Sequence, residues 1–543
     1  MTLPVAKNSN GTKITQNFQD EIIFDSSDLT VNKLGLYYFR APNTVATLTI
    51  QLSAESKPIT IDSSLWTYTS GPGLLEGGNT TINGYGFVTI NRSGIIADSK
   101  YALGLDNGFD YGSIYHFNYV AIDPKPFGLG FLGIRDLISF LRYDQTSMNP
   151  LKGLIKMSIG TGISQSGRFI KDFLYLGYNN DNMNRWVFEG ILPLVSGARR
   201  TFTNYRFAKP GDYSRQHETH YTPGDQFPFT YTVYKDPITN KYDGILKKAI
   251  ARGKVPKIYH WDSPVEIVGA RASMNVTDGV GNDVPIPDNV RFFYADSTSH
   301  SPSSLTTNAL LQPDFTVNRT APVQASNAGA LVASTAFYRA LLVSLINWTK
   351  GYKKPLETNY PLLSTGELVI PTSEPFSVFS PDLSNIGTNL SVPYNGIINN
   401  VYVTDESVYP PIPDFTKKYI LYVPICDQQG NEIPGINMPD IAVPLATFKN
   451  YCLRKSGYSN GNQYGLSTSQ IAFALNIDSK NPNDTRKTVQ ELYGTKEEYI
   501  RRYKWAIDDL VTRGYLLPAT ECEDVITYAN RAIMQSNQPN FIK

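Results

Sequence analysis

The chain has 543 residues, 41% hydrophobic and 18% charged, with a formal net charge of +1. That length exceeds what one growing core supports, so several packed sub-domains are expected, and the composition is globular rather than disordered. A charge so near zero gives no field to steer nucleic acid or an anionic membrane, and no apolar run reaches the roughly 18 residues needed to span a bilayer. Cys426, Cys452 and Cys522 are too few and too far apart for a disulfide framework or a cysteine-based zinc site. The first residues lack the apolar stretch of a signal peptide, so the expected location is cytoplasmic, or exported after removal of a leader.

In chain order, residues 1–113 predict a β-rich region integrated with the core, with strand-like runs at 46–52 and 85–90 between Gly, Asn and Ser turns. A strand at 114–122 ends at Asp123-Pro124, and a glycine-bearing loop follows at 125–130. Helical spacing at 131–143 places Leu132, Ile134, Leu137, Ile138 and Leu141 on one face. Next come an apolar strand at 155–160, a small-residue turn at 162–167 that carries Ser164, and an amphipathic helix from Arg168. A serine at a sharp strand-to-helix turn is the pattern of a nucleophile elbow, G-x-S-x-G, with Ser166 standing where the last glycine would be. Residues 162 and 166 must be small, because larger side chains two positions either side of the serine would collide.

A strand at 187–195 precedes a segment rich in aromatics, Arg, Pro and Gly (198–250), too long for an ordinary connection and expected to form a lid. Strands resume at 255–261 and 290–295, and a long apolar helix covers 326–350. This alternation predicts a mainly parallel sheet flanked by helices, so 114–350 is the core. Residues 351–470 are expected to wrap the surface as mixed strand and loop, with a strand at 419–425. Residues 471–543 form a helical tail, with a helix at 494–513.

A serine nucleophile needs a base, and a group that orients the base. Of the five histidines, His300 lies in the loop after the last core strand, where the base belongs, whereas His260 and His116 lie within strands as packing residues. Three carboxylates follow strand 255–261. Glu266 is preferred as the acid, with Asp262 and Asp278 as alternatives, although a carboxylate at a strand end also serves as a turn or helix cap. The oxyanion hole is expected from the Gln165 N–H and a second N–H near Gly128. His217 and His220 are one residue short of the H-E-x-x-H spacing, so no metal is expected. Arg199, Arg200, Tyr205, Arg206, Phe227, Phe229 and Tyr231 line a substrate pocket or form the lid's own core; Arg206 and Phe227 are the substrate-binding candidates.

With these residues in place, the chain resembles the large, mostly bacterial alpha/beta hydrolase domain proteins nearly end to end. The resemblance rests on Gly128-Leu-Gly-Phe131, Arg135-Asp136, Ser164-Gln-Ser-Gly-Arg-Phe169, Val187-Phe-Glu-Gly190, Gly197-Ala-Arg-Arg200, Asp225-Gln-Phe-Pro-Phe229, Thr277-Asp278 and Gly435-Ile-Asn437. It implies an α/β-hydrolase fold and serine hydrolase chemistry, with Ser164 as nucleophile, His300 as base and Glu266 as acid. Where the family carries Tyr-Trp after that glutamate, this chain has Ile267 and Val268. The expected function is a serine esterase that needs no cofactor and acts on a small-molecule ester or acyl substrate. Acyl transfer on the same fold is the alternative among enzymes. A non-catalytic binding protein that keeps the fold is the alternative from another class.

Overall fold

The computed structural model describes residues 129–201, 223–300, 334–371, 400–449 and 451–542, apart from 297, 408–411, 453–465, 467 and 539–540. Within 33–121 it describes the backbones of seven strands. These pair antiparallel, as in Lys33–Arg40 against Ile114–Ala121 and Thr47–Gln51 against Lys100–Gly104. The expected run at 85–90 lies outside the described residues.

A four-stranded parallel sheet positions everything that follows. Its strands are β1 (Ile159–Ile163), β2 (Gly190–Leu194), β3 (Lys257–Asp262) and β4 (Val290–Tyr294), neighbours in that order. Ile163 pairs with Leu194, Trp261 with Leu194 and Asp262 with Tyr294, so the carboxyl ends of the strands form one edge. In open α/β sheets that edge is where ligands bind.

Successive side chains on a strand point to opposite faces, and here each face has its own core. Ile191, Ile258, Phe292 and Tyr294 pack with Ile170, Phe173 and Leu174 of α2 (Gln165–Tyr175). Leu192, Leu194, Tyr259, Trp261 and Phe293 pack on the other face with Phe337, Leu341 and Leu345 of α4 (Thr335–Thr349). The second core extends to Tyr499, Tyr503 and Leu510 of α5 (Lys496–Thr512) and to Tyr528 and Ala532 of α6 (Asp524–Ser536). Each fully buried Leu, Ile or Phe contributes about 1.5–3 kcal/mol relative to exposure, and this fastens the helical layers to the sheet. The chain is thus an α/β protein with helices on both faces of a parallel sheet.

Three elements differ from expectation, two in their bounds and one in the face it buries. The first strand spans 159–163 rather than 155–160, because Gly162 and Ile163 pair with Pro193 and Leu194 instead of turning. Helix α1 (Leu129–Tyr143) buries Phe131, Arg135, Ser139 and Arg142, whereas Ile134 and Leu137 are 38% and 54% exposed. The reason is polar: Arg142 pairs with Glu189 and donates to the Trp186 and Val187 carbonyls, so the helix docks on that side through Arg142. The expected strand at 419–425 is broken, since one strand ends at Tyr419 and only Val423–Pro424 resumes pairing.

Candidate active site

Ser164 is the only residue between β1 and α2, so the turn is one residue wide. It takes φ 60 and ψ −118, a strained backbone for a side-chain-bearing residue. Its N–H prolongs the ladder, donating to the Leu194 carbonyl at 2.8 Å. A Cβ on Gly162 would collide with the Ser166 carbonyl, and one on Gly167 would lie 2.9 Å from the Leu194 carbonyl. The crowded positions are therefore 162 and 167. Ser166 is exposed, so the expected requirement for a small residue at 166 is corrected by one position.

Two other carboxyl-edge elements meet this serine. His300 Nε2 lies 2.6 Å from Ser164 Oγ, and His300 Nδ1 lies 2.5 Å from Glu266 Oε1. Glu266 is fully buried on α3 (Pro264–Ala270), which begins two residues after β3 ends. Its second oxygen, Oε2, accepts the Ser263 N–H at 3.1 Å and the Ser263 hydroxyl at 2.5 Å. With Nδ1–H donating to the carboxylate, Nε2 is left as an acceptor facing the serine hydroxyl. The line Glu266–His300–Ser164 can take a proton from the hydroxyl without any group moving.

Asp262, the first alternative acid, is engaged elsewhere. It accepts the Gly197 N–H at 2.9 Å, the Asn275 amide at 2.7 Å and the Tyr360 hydroxyl at 3.2 Å, and it lies 3.0 Å from His260 Nε2. Burial would raise its carboxyl, but His260, Lys171 and the Gly197 N–H outweigh burial and hold it below the usual range. His260, which the sequence suggested as a packing residue, is buried here, with Tyr231 OH 2.9 Å from Nδ1. Burial lowers its pKa, so the imidazole is neutral, with the proton on Nε2 toward Asp262. Asp278, the other alternative, caps its own turn through the Val280 and Asn282 N–H groups.

Lys171 of α2 completes this network, which sequence reasoning missed because a lysine in an amphipathic helix reads as solvated. It is fully buried, donates to the Gly197 carbonyl at 2.5 Å, and burial pushes its pKa down from 10.5 to about 7 despite Asp262. Between about 7 and 10.5 the unfolded chain keeps a proton that the folded chain lacks, so this group's contribution to stability rises with pH across that window and is lost as pH falls through about 7. Lys171→Met is accordingly expected to compare best with wild type near neutral pH and to lose that advantage towards pH 10.5. Urea unfolding of both proteins across the window tests this; a pH-independent difference would count against it.

Two arginines of the expected pocket, Arg199 and Arg200, have protein partners. Arg199 Nε and Arg271 bond Asp225 Oδ1 at 2.5 and 2.9 Å, and Arg200 lies 3.7 Å from Asp172 and over the Tyr175 ring. Burial raises Asp172 to about 6 against the pull of Arg200 and Thr201. Phe227 is buried among Ala198, Phe229, Met274 and Tyr419, the packing role the sequence also allowed. Gly128, Tyr205, Arg206, His217 and His220 lie outside the described residues. Among the described residues there is no group of three or more His, Cys, Asp or Glu able to hold a metal, and no helix long and apolar enough to cross a membrane. Gln165 is the first residue of α2, so its N–H has no acceptor within the helix.

A parallel sheet with helices on both faces, and a strained serine beside a histidine at the carboxyl edge, define an α/β protein of hydrolase type. A model of the alpha/beta hydrolase domain family matches residues 78–525, and the chain belongs to that family. Neither a curated protein nor a solved structure matches it. Membership points to hydrolase activity on a small molecule.

Proposed function

We propose that the protein is a serine hydrolase acting on carboxylic esters through an acyl-enzyme. The observation that carries this reading is the hydrogen-bonded line from Glu266 Oε1 through His300 to Ser164 Oγ, at 2.5 and 2.6 Å. Ser164 Oγ attacks the acyl carbon while His300 Nε2 takes its proton. Glu266 holds the imidazole in the tautomer that can do so and stabilises the imidazolium. The oxyanion of the tetrahedral intermediate is received by the Gln165 N–H at the start of α2, with a second donor from the loop near Gly128. His300 then gives its proton to the departing alcohol. Water, deprotonated by the same nitrogen, releases the acid. An ester suits this set of groups because an alkoxide is a better leaving group than an amide nitrogen and departs as the alcohol with the one proton that His300 holds.

The test is a fluorophosphonate probe on the purified full chain, with the labelled peptide identified by mass. Label is expected on Ser164 in wild type and absent in His300→Ala. A folded wild type that takes no label would overturn the reading, as would label on a different serine.

A further inference from the structure

We infer that Ser263 is a positioning residue for the acid of this site, setting both the aim of Glu266 and the share of its charge that reaches His300. The inference rests on the serine hydrolase reading. Glu266 is the third residue of α3, and its side chain turns back to the residue that caps the helix. Both hydrogen bonds to Oε2 come from Ser263, one from its N–H and one from its hydroxyl. Oε1 is thereby left to His300 Nδ1. Ser263 and Glu266 are both fully buried, so bulk water cannot replace a lost donor.

Ser263 is itself fixed from behind. It follows Asp262, which is tied to Gly197, Asn275 and Tyr360 from other elements and to His260 on its own strand. The Glu266 N–H bonds the Ser263 carbonyl at 3.0 Å, closing the turn from the other side. The serine therefore stands between an anchored strand end and the carboxylate, and it presents two donors to one oxygen. Those donors draw negative charge toward Oε2 and away from the histidine.

Removing the hydroxyl has two consequences. The carboxylate is aimed less well, which slows chemistry more than it weakens binding. More charge also rests on Oε1, which holds a protonated imidazole more firmly, so activity is lost at a higher pH on the acidic side.

The experiment measures fluorophosphonate labelling rates and ester kinetics across pH for wild type, Ser263→Ala, Ser263→Cys and Ser263→Thr in the full chain. Ser263→Ala is expected to label Ser164 about 10-fold or more slowly, with kcat lowered and KM little changed. Its acidic limb should move upward by roughly half a unit to one unit. Threonine keeps the hydroxyl and should restore both rate and limb. Cysteine keeps the shape with a weaker donor and should shift both in the same direction as alanine, which provides the test if alanine does not fold. A folded alanine or cysteine variant with the wild-type rate and limb overturns the inference while leaving the hydrolase reading intact. So does a threonine variant as impaired as alanine, since the loss would then come from packing. Failure of wild type to label removes the hydrolase reading itself and this inference with it.

Discussion

Replacing either Ser164 or His300 with alanine is expected to reduce ester turnover by on the order of 10⁶, and replacing both should cost no more than either alone. The expectation follows from the spacing. His300 Nε2 is 2.6 Å from the hydroxyl, so in the proposed mechanism the two side chains act as one proton-transfer unit; once either is gone, the other has nothing to act with or upon. The residual rate would come from the backbone donors and substrate binding, which both variants retain. Folding should be nearly untouched in Ser164→Ala, because alanine and serine bear the same backbone strain at φ 60 and the side chain is only part-buried. The comparison is of kcat/KM for both single variants and the double variant, each checked for a wild-type unfolding midpoint. Multiplicative losses, or a His300→Ala enzyme within tenfold of wild type, would show that the pair does not work as a unit.

The elbow was legible because its signals are local. A strand, a serine among small residues and an amphipathic helix occupy some twenty consecutive positions, and the sheet ladder and α2 occupy nearly the same ones. His300 was legible by position, as the histidine in the loop after the last core strand. The choice among carboxylates was harder, since Asp262, Glu266 and Asp278 all follow β3, and sequence order does not say which of them faces the histidine. What separates them is three-dimensional: Asp262 ends the strand inside a buried network, Asp278 closes its own turn, and Glu266 alone is hydrogen-bonded to His300.

Helix cap and partner of the histidine are not exclusive roles for such a carboxylate: Glu266 Oε2 accepts from the cap residue Ser263 while Oε1 is hydrogen-bonded to His300. The pattern Ser263-x-x-Glu266 before an apolar run is a capping signature that could have been read directly. Charged residues misled where they are buried. Lys171 lies inside the core, and Arg142 docks α1 by the face that hydropathy alone assigns to solvent, with Arg135 buried on that face as well. Periodicity finds which positions share a face; it does not say that a guanidinium can be the buried one when carbonyls and a carboxylate await it.

Glu266 should therefore show two separable losses. In Glu266→Gln the shape is kept, but the amide can present its NH₂ to His300 Nδ1 while its oxygen serves Ser263. That arrangement puts the imidazole proton on Nε2, aimed at the serine, and the ring can no longer act as base. A fall in kcat of about 10⁴ is expected, with the unfolding midpoint little changed. Glu266→Ala should fall at least as far and should also lose stability. It leaves the Ser263 N–H and hydroxyl and the His300 Nδ1–H buried without their acceptor, at about 1–3 kcal/mol for each unsatisfied group, and it removes a helix cap besides. Asp262→Asn provides the contrast. It disturbs a buried charge that Lys171 and His260 face and should destabilise the fold, while the hydrogen bonds that Glu266 accepts from His300 and Ser263 remain. Turnover per folded molecule, measured beside denaturant midpoints for the three variants, distinguishes these effects. If Glu266→Gln is as active as wild type while Asp262→Asn is inactive, the acid is Asp262 and the orientation argued for His300 is wrong.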